Sequence, residues 1–213
     1  MRESFKYILG DKIISREEAS KMPTLEKELA KYEILAAVND ESEKDTIHAY
    51  KSEKDFEKWA KEAGYGDRLS ILKQKMEEEI ARPDDSQYEK EILDKITRST
   101  EEIKKLSQEL KLPSHSYEVI REAKKRGLMH SVWLYEHASF GGRMISLIPP
   151  GHRDFNRIGF NDITSSLVFG GALGALYEHP GFNGRSFYLA GLIWLEWIGA
   201  EFNDIATSYW EVP

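Results

Sequence analysis

The sequence predicts a multidomain α plus all-β protein: a mostly α-helical N-terminal domain over residues 1–127, then a double Greek-key β-sandwich over 128–213. Three observations carry this. The chain changes composition near Gly127, its first half shows helix start signals in series, and its second half repeats itself at an offset of 42 residues. Residues 1–127 hold 55 charged side chains, whereas residues 128–213 hold 12 and no lysine. Glycine runs the other way, with 11 of 15 after the boundary, and so does tryptophan, with four of five. High charge with few glycines suits solvated helices; glycine, aromatic and β-branched residues suit strands joined by tight turns.

In the first half, Ser15-Arg16-Glu17-Glu18, Ser52-Glu53-Lys54-Asp55 and Ser86-Gln87-Tyr88-Glu89 each place a hydroxyl three residues before a carboxylate. That is the spacing of a helix-capping box. The second of these helices is expected to run to about Ala63 and stop at Gly64, a good residue just past a helix end. Thr46 to Tyr50 reads as a short strand or coil. Arg82-Pro83-Asp84-Asp85 is a break. After it, Ile92, Ile96, Ser99, Ile103, Leu106 and Leu110 are spaced 4, 3, 4, 3, 4, one apolar stripe on a helix ended by Pro113. The favoured reading packs this helix on its own domain; a seam for self-association is the alternative. A last short helix is expected from about Ser116 to Arg126. The Glu/Lys runs read as a solvated face. No metal cluster, nucleotide loop or nucleophile motif stands out in this half.

In the second half, Tyr135, Glu136, His137, Phe140, Gly142 and Arg143 recur as Tyr177, Glu178, His179, Phe182, Gly184 and Arg185. Further on, Phe160-Asn161-Asp162-Ile163 recurs as Phe202-Asn203-Asp204-Ile205, and Ser165-Ser166 as Thr207-Ser208. Such a period marks one supersecondary unit used twice. Each copy begins with an apolar stretch (Ser131 to Tyr135, Ala172 to Tyr177) and turns through Pro or Gly. It continues in alternation from Arg143 to Ile148 or from Arg185 to Leu189. It closes in a final strand, Thr164 to Phe169 or Ala206 to Val212. Four strands per copy with a long return connection is the Greek-key pattern, and two copies make a sandwich. In Tyr-x-x-x-x-Phe-x-Gly the rings can stack across a folded hairpin, and glycine takes the backbone conformation a bulky residue cannot.

These residues resemble a βγ-crystallin domain of the calcium-binding, microbial type, over roughly residues 128–213. The resemblance rests on two copies of Tyr-x-x-x-x-Phe-x-Gly, each followed by a calcium signature. Those signatures are Asn161-Asp162-Ile163-Thr164-Ser165-Ser166 and Asn203-Asp204-Ile205-Ala206-Thr207-Ser208. One departure is that the aromatic before each signature, often Trp in the family, is Phe160 and Phe202 here. The resemblance implies two Ca2+ ions per chain, each taking ligands from both copies. One site would join Asn161, Asp162 and Ile163 to the Thr207 hydroxyl, the other Asn203, Asp204 and Ile205 to the Ser165 hydroxyl. Backbone carbonyls near Glu136 and Glu178 would complete them, and Ile163 and Ile205 can give only carbonyls. Calcium takes about 6–8 oxygen ligands, which such a set supplies without excess charge. Asn-Asp followed by Ser/Thr is also ordinary turn chemistry.

Other constellations are weaker. His137 and His179 sit in hairpin turns of separate copies with no third ligand in the pattern, which argues against zinc. His152 with Asp154, or Ser165 with a histidine, lacks any surrounding nucleophile motif. Trp194, Trp197 and Trp210 read as core and corner packing before a sugar platform. Net charge is -7 with no basic block, which argues against nucleic acid and anionic membrane surfaces. Without cysteine there is no disulfide framework, thiolate metal site or Cys nucleophile. Met1 to Ser15 has no apolar core of a signal peptide, and no apolar run approaches the ~20 residues of a membrane helix. A cytoplasmic, non-enzymatic calcium-binding protein with a structural, stress or buffering role is expected. The alternatives are a protein-binding module, such as a protease inhibitor of this fold, and a calcium-regulated function carried by the helical domain. Either would add a protein partner.

Overall fold

The computed structural model describes residues 6–10, 12–39, 46–83, 85–128, 132–199 and 202–212, apart from the side chains of Arg16, Ser20 and Glu26. Ser131, expected at the start of the first repeat strand, and Asp84 in the expected break lie outside them. Within residues 1–127 the elements are β1 (Lys6–Leu9), β2 (Lys12–Ile14), α1 (Arg16–Ser20), α2 (Leu25–Leu29), β3 (Ile34–Asn39) and β4 (Thr46–Tyr50). They continue as α3 (Glu53–Glu62), α4 (Gly66–Ile80), α5 (Ser86–Leu110) and α6 (Tyr117–Lys125). The first repeat copy follows as β5 (Val132–His137), β6 (Gly141–Leu147), β7 (Gly151–His152) and β8 (Ser166–Phe169). The second is β9 (Leu173–His179), β10 (Asn183–Gly191), β11 (Ile193–Leu195) and β12 (Ser208–Val212).

The chain thus combines helices with two β-sheets, the α plus β class expected, and each repeat copy supplies four strands. The small sheet has the order β11-β8-β5-β6, and the large one β2-β1-β4-β3-β10-β9-β12-β7. The third strand of each copy leaves its own key. β7 pairs with β12, Tyr209 opposite His152, while β11 pairs with β8, Trp194 opposite Val168. Each sheet of the sandwich therefore contains one strand from the other copy.

The large sheet runs on across the compositional boundary at Gly127. β3 lies parallel to β10, from Ile34 beside Ser186 to Asn39 beside Gly191. Three N-terminal strands, β1 to β3, have no counterpart in the sequence reading, which raised only Thr46 to Tyr50. Ile34-Leu35-Ala36-Ala37-Val38 is buried throughout. Leu35 and Ala37 enter the core between the sheets, while Ile34 and Ala36 enter the core on the sheet's outer face. A strand covered on both faces reads as a continuous apolar run, with no alternation to betray it.

Three cores stack the layers. Leu134, Leu167, Leu176 and Phe187 fill the space between the sheets. Phe56, Leu69 and Leu72 of α3 and α4 pack on Tyr188, Trp210 and Val212 on the outer face of the large sheet. Ile103, Leu106, Val119 and Ile120 of α5 and α6 pack on Trp133, Tyr135 and Val168 of the small sheet. The sandwich is clad in helices on both outsides. That double cover accounts for the few charges after Gly127, since most strand residues there never meet water.

Two capping signals hold as read. Ser15 and Glu18 form a complete capping box on α1, and the Ser52 hydroxyl accepts from Asp55 N at 3.3 Å. The third is corrected. Ser86 is the first helical residue of α5, and the cap is Asp85, whose Oδ1 accepts from Gln87 N at 2.9 Å. A carboxylate one position earlier outcompetes the hydroxyl for the free amides.

The α5 stripe is buried within the chain from Ile92 to Leu106, and Leu110 at its end is exposed. Its polar member, Ser99, meets Ser146 of edge strand β6, oxygen to oxygen at 2.8 Å, and the neighbouring Thr100 hydroxyl accepts from Ser146 N at 2.9 Å. The helix thereby satisfies a strand edge that the sheet leaves open. Thr100→Val keeps the shape and leaves that amide unpaired, so a loss of about 1–3 kcal/mol is expected in urea unfolding.

Glu211 of β12 is 2% exposed, with Tyr209 OH donating to its Oε2 at 2.6 Å. Burial pushes its carboxyl up to about 8, against the opposing pull of that hydrogen bond. The folded state therefore keeps a proton that the unfolded chain releases near the ordinary value of 4.5. Stability from Glu211 is full below pH 4.5 and falls as pH rises to about 8. Urea midpoints across this window should fall in the wild type relative to Glu211→Gln, and the difference should level off above it.

Candidate metal centres

Each repeat copy folds its first hairpin back on itself. In copy one, Ser139, Phe140 and Gly142 adopt left-handed φ of 55°, 59° and 72°; in copy two, Gly181, Phe182 and Gly184 take 70°, 60° and 78°. A side chain on Gly142 would meet Glu136 Cβ and His137 Cδ2 at 2.9 Å, and one on Gly184 would meet His179 Cδ2 at 2.9 Å. Only glycine allows this fold-over. The expected ring contact forms edge to face, with Tyr135 and Phe140 centroids 5.5 Å apart and Tyr177 and Phe182 5.8 Å apart.

The last serine of each signature pins the hairpin. Ser166 Oγ donates to His137 O at 2.6 Å and accepts from Phe140 N at 3.0 Å; Ser208 Oγ donates to His179 O at 2.8 Å and accepts from Phe182 N at 3.2 Å. The sequence reading assigned these serines no role, although they repeat in register. Arg143 and Arg185 were likewise read only as strand starts. Arg143 binds Glu136 Oε2 through N at 3.0 Å and Nε at 3.2 Å, and Arg185 grips both carboxylate oxygens of Glu178 at 3.0 and 3.1 Å. These bonds hold both glutamates below the usual carboxylate range, Glu136 mainly through the Arg143 amide and Glu178 mainly through the Arg185 side chain. With their carboxylates engaged, Glu136 and Glu178 have their carbonyls to offer.

The penultimate hydroxyls face the other copy. Ser165 N donates to Tyr135 O at 2.9 Å, and Ser165 Oγ lies 2.9 Å from Glu136 O and 3.3 Å from Asp204 Oδ1. Asp204 N donates to Thr164 O at 3.0 Å. Glu136, Ser165 and Asp204 are therefore brought together, with Asn203 donating to Asp204 Oδ2 at 2.7 Å. In the second centre, Thr207 N donates to Tyr177 O at 2.9 Å and Asp162 N to Ala206 O at 3.4 Å. This sets Thr207 beside Glu178 and next to the Asn161-Asp162 turn. Asn161 Nδ2 donates to Asp162 Oδ2 at 2.5 Å, while Asn161 Oδ1 and Thr207 Oγ1 are buried without a hydrogen-bond partner among the described residues.

Asp162 and Asp204 take φ of 51° and 56°, a left-handed turn that aspartate tolerates. Ile163 and Ile205 pack their side chains against the inner core, so only their main chains can face a centre. The donor set is thus one carboxylate, carboxamide and backbone oxygens and a hydroxyl per centre. Among the described residues there is no cluster of three or more His, Cys, Asp or Glu. Such a set fits a hard, oxygen-seeking cation and not a soft one. His137 and His179 end strands of different sheets and are both exposed. His152 is 3% exposed and accepts from Asp154 N through Nδ1, a structural tie without access to a substrate.

No protein-family model matches the chain, and no curated protein matches it. Solved structures similar to part of it are βγ-crystallin domains. One from Clostridium beijerinckii is 29% identical, with 38% of this chain and 94% of that one covered at a TM-score of 0.33. A βγ-crystallin from Ciona intestinalis is 29% identical over 38% of this chain and 99% of that one, TM-score 0.34. An archaeal βγ-crystallin is 22% identical over 39% and 99%, TM-score 0.35. The double Greek key itself rests on the strand order given above.

Ser208→Ala would strip Phe182 N and His179 O of their buried partner. Destabilisation of about 1–3 kcal/mol is expected by urea unfolding, with Ser166→Ala, its repeat equivalent, similar in size.

Proposed function

We propose that the chain is a non-enzymatic calcium-binding protein in which two Ca2+ ions clamp the two Greek keys together. The observation that supports it is the pairing of each Asn-Asp turn with a hydroxyl of the other copy, Asp204 with Ser165 and Asp162 beside Thr207. Two of the buried oxygens without partners among the described residues, Asn161 Oδ1 and Thr207 Oγ1, lie in one of those pairings. Calcium would supply a positive centre shared by oxygens of both copies. Magnesium demands a stricter octahedron and sheds water reluctantly, so selectivity for calcium follows. An ion that binds only the folded chain stabilises it by about 2.7 kcal/mol at a hundredfold excess over the dissociation constant. A structural, stress-related or buffering role is the function this supports.

Calorimetric titration of chelator-treated protein should give two saturable events with calcium, absent with magnesium. Asp162→Ala combined with Asp204→Ala should leave the ion-free fold intact and abolish the calcium-induced rise in melting temperature. An unchanged rise would overturn the site assignment.

A further inference from the structure

The two centres are related by the repeat but are not held alike. The segment from β7 to Phe160 leads directly into Asn161 and buttresses Thr207: Phe155 N donates to Thr207 O at 2.7 Å, and Phe160 N to Phe155 O at 3.0 Å. Its Arg153 carbonyl also accepts from Gly181 N, at the tip of the second hairpin, at 2.8 Å. One carboxylate from the helical half grips this segment at three places. Glu89, in the first turn of α5, lies 2.8 Å from Arg157 Nη1, 3.5 Å from Arg153 Nη2 and 3.3 Å from His152 Nε2. Arg153 Nη1 also donates to Arg82 O at the end of α4, at 3.2 Å. Side-chain exposures are 17% for Glu89, 14% for Arg153 and 2% for His152, while Arg157 closes the clamp on its solvent side at 40%. Asp154 N occupies His152 Nδ1, leaving Nε2 to donate to Glu89.

The equivalent segment of the other centre meets the helical half only near its start, where Trp194 Nε1 donates to His115 O at 3.2 Å and its ring lies 6.4 Å from that of Tyr117. From Glu196 onward the described bonds tie it within the sandwich. Ser139 N donates to Glu196 O at 2.7 Å and Ile198 N to Ser165 O at 3.0 Å. Among the described residues no ion pair joins that segment, from Ile193 to Ile205, to a helix.

We propose that Glu89 is a positioning residue through which the helical half sets the calcium affinity of the Asn161–Asp162–Thr207 centre and not of the Asn203–Asp204–Ser165 centre. The inference rests on the calcium reading above. An intact clamp holds the segment that carries Asn161 and supports Thr207, so less ordering remains to be done on binding. By linkage, occupancy of that centre stabilises the docking of α5 to the same degree. Glu89 is then a regulator of one of the two repeat-related centres.

The test uses the full chain and calcium alone. Asp204→Ala leaves the clamped centre to be titrated, and Asp162→Ala leaves the other. In the Asp204→Ala background, Glu89→Gln and Arg157→Gln should each lower calcium affinity roughly fivefold or more, while in the Asp162→Ala background neither should change it. The pair separates positioning from simple charge. Glu89→Gln removes a negative charge and Arg157→Gln a positive one, so charge alone would move the affinity in opposite directions. Opposite shifts, equal shifts at both centres, or no shift would overturn the proposal. Hydrogen exchange gives a readout without altering the clamp: calcium should slow exchange in the first turn of α5 in the wild type and in Asp204→Ala, and not in Asp162→Ala. Equal slowing in Asp162→Ala would also overturn it. A wild-type chain that takes up no calcium would overturn the calcium reading itself, and this proposal with it.

Discussion

The exchange of one short strand between the Greek keys is the constraint on which the rest depends. β7 is only two residues long and β11 three, yet each crosses from its own copy to complete the other sheet. The chain that follows each of them must then return to its own key, and that return carries the Asn-Asp turns. A turn beginning in one copy is thereby delivered to a hydroxyl of the other. Without the exchange, each signature would fold beside its own serine or threonine, and no centre would join the copies. The hairpin fold-over is the second half of the device. It places the main chain of Glu136 and Glu178 next to those hydroxyls and turns the carboxylates away into arginine partners.

A sandwich alone would show water two outer faces. Here α3 and α4 cover one, and α5 and α6 cover the other. This cladding makes the N-terminal half part of the sandwich's packing instead of an appendage, and β3 carries the large sheet onward from β10. Burial on every face has a polar consequence. Strand-edge amides, buried carboxyls and loop charges must find partners locally, as Ser146 does at Thr100 and as the loop after β7 does at Glu89.

How far the sequence disclosed this varies with the kind of signal. The repeat was legible because symmetry doubles every landmark: Phe140 with Phe182, Gly142 with Gly184 and Ser166 with Ser208 recur at one offset, and each occupies the same place in its hairpin. β3 was not legible, because Ile34 to Val38 alternates between two apolar cores and so shows no alternation in polarity. Ser86 misled because Asp85 beside it caps better, and sequence spacing cannot choose between adjacent caps. Glu89 was the most hidden. The sequence marks it only as the acid of a capping box with Ser86, in a solvated-looking helix where Glu91, two residues on, simply accepts from Gln87 Nε2. Its partners lie more than sixty residues away, and a pairing at that range is set by tertiary packing, which a single sequence does not record.

The two hydroxyls that face the Asn-Asp turns differ in a way that repetition alone would not predict. Ser165 Oγ has Glu136 O and Asp204 Oδ1 within hydrogen-bond reach, so this hydroxyl is satisfied within its centre. Thr207 Oγ1 and Asn161 Oδ1 are buried without partners among the described residues. Thr164 Oγ1 beside Ser165 is also without a partner among the described residues. A buried polar group left unpaired costs about 1–3 kcal/mol, and of the two hydroxyls that face the turns it is the one at the Thr207 centre that is unsatisfied. This is the centre whose supporting segment is braced from outside by Glu89. Brace and unpaired oxygens belong together physically: a loop free to relax would turn those oxygens toward water, and a loop held on one carboxylate by two arginines and a histidine N–H keeps them in place. In the calcium reading, the ion would then find ligands already desolvated and fixed at one centre, and would have to displace a hydrogen bond between Ser165 and Asp204 at the other.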